Sequence, residues 1–70
     1  MVNVEKIIGD VSVKTVLAYL NEDIKKAKEF LSLHELEGDS ISMKIDKTVI
    51  DLLEYAKKAV VEEAKRRGLL

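Results

Sequence analysis

The chain has 70 residues, with twelve Lys and Arg against thirteen Asp and Glu, one His and no Cys. That length holds one domain, 1–70, whose core is marginal unless a disulfide, a metal or a partner subunit supplements it. The missing cysteine and the single histidine exclude disulfides and the usual zinc frameworks, and the balanced charge excludes a generally basic nucleic-acid binder, leaving room only for a local basic patch.

No charge-free apolar run approaches the ~20 residues that span a bilayer, and the first residues lack the basic-then-apolar order of a signal peptide. The expectation is a soluble, cytoplasmic protein with no membrane partner. The sequence has no Gln and is rich in Glu and Lys, a lean toward thermophilic composition.

Residues 1–9, MVNVEKIIG, are apolar at Val2, Val4, Ile7 and Ile8 and read as a short helix from Asn3, with an extended arm ending at Gly9 as the alternative. The next helix begins at Asp10 or Ser12, both competent N-caps. Val13, Val16, Leu17, Leu20, Ile24, Ala27, Phe30 and Leu31 then stay on one side through residue 33. The phase survives Asn21, which predicts one continuous helix; a break there, with Asn21 capping a second helix, is the alternative.

Residues 34–40, HELEGDS, place Gly38 before Asp and Ser and read as the connection between two long helices. Residues 40–45, SISMKI, alternate, with Ile41, Met43 and Ile45 on one side and Ser40, Ser42 and Lys44 on the other. That is a strand signal needing a partner, either the N-terminal arm or a symmetry mate; the alternative is an extended linker whose apolar side chains cap the bundle.

Residues 46–68, DKTVIDLLEYAKKAVVEEAKRRG, carry the strongest helix signal, and the rest of the chain is organised around them. Asp46 is the expected N-cap and Gly68 the C′ residue, with Lys65, Arg66 and Arg67 where a helix C-terminus favours positive charge. Val49, Leu52, Leu53, Ala56, Ala59, Val60 and Ala64 form one stripe, widened by Ile50 and Val61 to roughly half the circumference. One partner helix does not cover that width, so a second copy of the chain is expected to complete the core.

Little here suggests catalysis. His34, Glu35, Glu37 and Asp39 lie close together, but their spacing matches no closed metal site. The adjacent carboxylates Glu62 and Glu63, or Glu22 and Asp23, lie on charged helix faces with nothing to split their pKa values. The lysines have acidic neighbours in the order that favours helical pairs, Glu22 before Lys26, Glu54 before Lys58, Glu62 before Arg66 and Glu63 before Arg67. Tyr19, Phe30 and Tyr55 are too scattered for a base-stacking platform; Phe30 belongs to the apolar stripe, whereas Tyr19 and Tyr55 fall outside theirs.

The run Ile41 to Lys58, ISMKIDKTVIDLLEYAKK, resembles the start of ribbon-helix-helix DNA-binding proteins, in which an alternating strand leads directly into a helix. The resemblance implies paired strands from two protomers, with Ser40, Ser42 and Lys44 directed at the major groove. The same run extended to Ala64 is similar to the central helix of archaeal histones, through Ile41, Ser42, Thr48, Leu53, Glu54, Val60, Glu63 and Ala64. Both resemblances imply a dimeric helical protein associated with DNA.

The fold expected is therefore mainly all-α: two long helices joined by a short extended segment, in a dimeric helical bundle with one short intersubunit strand as an option. Its interface candidates are Ile41, Met43, Ile45, Ile50, Leu53, Ala56, Val60, Val61 and Ala64. The function expected is non-catalytic, without cofactor or metal: a small homodimeric DNA-associated protein, of regulatory or chromatin type, contacting DNA through Ser42, Lys44, Lys65, Arg66 and Arg67. The alternative is a protein–protein interaction or assembly module that binds no nucleic acid.

Overall fold

The computed structural model describes residues 13–70, which form two antiparallel helices, α1 (Val13–Glu37) and α2 (Ser40–Arg66), with no strand among the described residues. The short N-terminal helix expected from Asn3, and the Asp10 or Ser12 cap, lie outside those residues. The α1 helix is continuous across Asn21, as the unbroken apolar phase predicts, and it contains neither Gly nor Pro.

In α1 the seam residues Val13, Leu17, Leu20, Ile24, Ala27, Leu31 and His34 recur at alternating steps of four and three, the spacing that keeps one edge facing a neighbouring helix. In α2 the same alternation runs through Met43, Asp46, Ile50, Leu53, Lys57, Val60 and Ala64. Two cross-helix contacts fix the register, Lys28 Nζ to Glu54 Oε1 at 3.8 Å and His34 Nδ1 to Asp46 Oδ2 at 2.5 Å. Ala27 and Leu53 accordingly line one inter-helix groove, and Ile24 and Lys57 another. Val13, Ile24, Ala27, Ile50 and Ala64 are the buried apolar residues of the seam.

The turn between the helices is only Gly38 and Asp39. Gly38 has φ +70°, a left-handed conformation that ends α1. Its N–H donates to the Glu35 carbonyl at 3.2 Å and that of Asp39 to the His34 carbonyl at 3.0 Å, which together form a Schellman cap. Asp39 caps α2 in the same step: its carboxylate accepts from the Ser42 backbone N–H at 3.0 Å and from the Ser42 hydroxyl at 2.6 Å. The far end of α2 repeats the motif, with Gly68 at φ +70° and the Leu69 N–H donating to the Ala64 carbonyl at 2.8 Å. Gly68 thus takes the C′ role expected of it.

The local expectations for residues 34–46 are corrected. Residues 40–45 are helical, because the Gly38 turn delivers the chain straight into the Asp39 cap and leaves no extended link. The alternation of Ile41, Met43 and Ile45 has a helical origin: Met43 belongs to the seam, while Ile41 and Ile45, four apart, share the outer face. Asp46 is a seam residue paired with His34 rather than the cap. Residues 34–37 are the last turn of α1 rather than linker.

Candidate interaction surface

The hairpin has two flanks of different chemistry, one on each side of the seam. On one flank a groove runs between the helices past Ala27, Phe30, Val49 and Leu53, bordered by Asp23, Lys26 and Asp46. Phe30 is 55% exposed, so its place is this flank rather than the interior of the seam. Val49, Leu52, Ala56 and Ala59 follow one another at helical spacing on α2, and Ile41 and Ile45 continue the stripe toward the turn. Leu52 is 64% exposed and Ile45 57%, an apolar band left uncovered among the described residues.

The wide stripe expected on α2 therefore divides. Of the proposed interface residues, Met43, Ile50, Leu53, Val60 and Ala64 occupy the seam of the hairpin itself, where Ile50 and Ala64 are buried. Val61 lies beside the seam on the opposite flank. Ile41, Ile45 and Ala56 stay on the open band. Phe30 and Leu33 of α1 are the contribution that inspection of α2 alone misses; Leu33 follows Phe30 by three residues, the signal that it shares that side.

The opposite flank is polar. Its groove is lined by Asn21, Ile24, Lys28, Lys57, Lys58 and Lys65, with Glu54 and Glu62 among them. Glu54 turns to Lys28 of α1, at 3.8 Å, rather than to Lys58, and both groups are more than half exposed. Among the described residues Lys57, Lys58 and Lys65 have no carboxylate within salt-bridge distance. Of the four helical pairs expected from spacing, only Glu63 with Arg67 forms, at 2.8 Å, and the same carboxylate takes Arg66 at 2.7 Å. Neither Glu22 with Lys26 nor Glu62 with Arg66 is a contact.

The candidate DNA contacts are dispersed. The Ser42 hydroxyl is engaged by Asp39. Lys44 and Lys65 lie near opposite ends of α2, about 30 Å apart along its axis at 1.5 Å per residue. Arg66 and Arg67 share Glu63, and the Arg67 Nη1 is buried with no partner among the described residues.

His34 bridges the two helices, whereas Asp39 and Glu63 make their contacts within α2. The Asp46 hydrogen bond raises the His34 pKa above its ordinary value; burial works against it, and the charges of Asp46, Asp39 and Glu37 assist. Hydrogen bonds from the Ser42 hydroxyl and backbone N–H lower the Asp39 pKa, and the Arg67 hydrogen bond lowers that of Glu63. No group of three His, Cys, Asp or Glu suited to a metal ion occurs among the described residues, and no helix there is long and apolar enough to cross a membrane. The chain matches no protein-family model, no curated protein and no solved structure.

Proposed function

We propose that this chain is a non-catalytic assembly module, a helical hairpin that pairs with a second copy through its apolar flank to close a four-helix bundle. The observation that carries the proposal is the open band of Phe30, Leu33, Ile45, Val49 and Leu52 along one side of both helices. The lack of a dry core supports a second copy as the occupant. No large side chain is fully buried among the described residues, so the hairpin alone lacks a dry core. Asp23 and Lys26 border the groove with opposite signs, allowing two-fold related copies to match charges, and a net charge of -1 sets little repulsion against self-association.

Association with DNA is the second reading, favoured by one observation: Lys57, Lys58 and Lys65 lie on the other flank without carboxylate partners among the described residues. In the proposed bundle that flank stays on the outside, so the two readings are compatible. Glu54 and Glu62 between the lysines argue against strong phosphate contact, which ranks this reading below assembly.

Sedimentation equilibrium across a concentration series tests the first reading, with a reversible monomer–dimer transition as the expected result. A folded monomer at every concentration up to about the millimolar range, where binding free energy falls to about 4 kcal/mol, overturns it. A gel shift at low salt tests the second: a complex lost on Lys57, Lys58, Lys65→Ala supports it, and no complex removes it.

A further inference from the structure

His34 occupies the last turn of α1, where a helix C-terminus favours a cation, and its Nδ1 meets Asp46 Oδ2 of α2 at 2.5 Å. The same imidazole stacks on Phe30, with ring centroids 6.2 Å apart and planes 20° from parallel. Phe30 and Asp46 both line the apolar groove. One titratable ring therefore touches two residues of the surface on which the proposed dimer forms.

We infer that self-association of the hairpin is linked to the charge on His34, and that a proton on this imidazole favours the assembled form. The inference rests on assembly through the apolar flank and concerns its regulation.

The direction follows from Asp46. In the single hairpin its carboxylate side chain is 13% exposed and borders an open groove. A second copy seated on Phe30, Val49 and Leu53 takes the remaining water from that carboxylate. Facing a neutral imidazole, the desolvated charge is destabilising; facing an imidazolium, it keeps a charge-assisted hydrogen bond. The imidazole, 24% exposed, loses water as well, and that burial opposes the cation; the Asp46 hydrogen bond, the larger influence on this ring, sets the sign, so proton uptake accompanies assembly. The other charges around the ring act in the same sense: Asp39 from the turn and Glu37 from the end of α1 are carboxylates that favour the cation. Neither they nor Asp46 is paired with a Lys or Arg among the described residues. Lys26, on the groove's border, is the cation that opposes the effect.

The test is sedimentation equilibrium of the full chain between about pH 6 and pH 8.5. With two equivalent imidazoles per dimer, a rise of about half a pKa unit in each on assembly weakens Kd about tenfold across that range. Both His34→Gln and Asp46→Asn should associate with little dependence on pH. An NMR titration of the imidazole in dilute and concentrated wild-type samples supplies a readout that needs no variant: it should titrate at higher pH in the concentrated sample. A wild-type Kd unchanged by pH with dimer present, an imidazole that titrates alike in both samples, or pH dependence kept by a folded His34→Gln overturns the linkage and leaves assembly standing. Absence of dimer at every pH overturns assembly, and the linkage with it.

Discussion

Replacing Leu52 by Gln separates the two apolar sides of α2. Leu52 is 64% exposed in the hairpin, and Gln is nearly as good a helix former as Leu, so in a lone chain the change costs at most about 0.5 kcal/mol. Beneath a second copy the result differs. Fully burying a leucine side chain is worth about 1.5–3 kcal/mol, so the exposed part of Leu52 contributes about 1–2 kcal/mol per chain. A two-fold interface repeats the site, giving about 2–4 kcal/mol per dimer, or about 30- to 1,000-fold in Kd. Sedimentation equilibrium measures that change, and circular dichroism checks that helicity is kept. Ile50, two residues earlier and 9% exposed, provides the contrast. Ile50→Ala removes seam packing at a cost of about 2–5 kcal/mol and acts on unfolding even where the chain is monomeric. Should Leu52→Gln associate as tightly as the wild type, Leu52 lies outside the interface and the open band has lost its role.

Two further outcomes concern the hairpin itself. Gly38→Ala should destabilise by about 1–2 kcal/mol through its left-handed backbone, since an added Cβ meets nothing within 4 Å; Gly38→Asn, which tolerates that conformation better, should recover part of the loss in thermal melts. Stability should depend on pH from both sides. The raised His34 pKa stabilises fully below its ordinary 6.5, and that contribution disappears as pH rises through the folded value. The lowered pKa values of Asp39 and Glu63 stabilise above their ordinary 3.8 and 4.5 and are lost as pH falls through the folded values. Denaturant melts should thus show greatest stability between the carboxylate range and the His34 titration, and Asp46→Asn should remove the loss on the alkaline side.

The helical class, the continuity through Asn21 and the Gly68 terminus were legible in the sequence because each rests on local spacing and backbone preference. The turn was harder to place. Asp46 and Asp39 are chemically equal as caps, and what separates them is Gly38, whose left-handed turn closes α1 and puts the very next residue at the start of α2. Alternation over residues 40–45 fits either a strand or a helix with one side chain on the seam and two on the outer face, so period alone does not decide over six residues. The stripe of α2 taken alone yields the interface candidates. How that stripe divides between α1 and the outside depends on the register, fixed by His34 with Asp46 and by Lys28 with Glu54, pairs far apart in the chain.

The ends of the seam explain why such a short chain commits to one hairpin while leaving a flank open. At the turn, the Schellman cap, the Asp39 cap and the His34–Asp46 bridge act within a few residues of one another. At the other end Glu63 gathers Arg66 and Arg67 beside the buried Ala64. Of these contacts the His34–Asp46 bridge joins the two helices and bears on their register, whereas the caps and the Glu63 pairs close the helix ends locally. The apolar flank has no such closure: Ile41, Ile45, Val49 and Leu52 present area rather than geometry. Register is thus set between α1 and α2, whereas the open band stays uncovered among the described residues. A dimer interface built this way should respond to loss of area at Leu52 far more than to loss of a single polar pair at its rim.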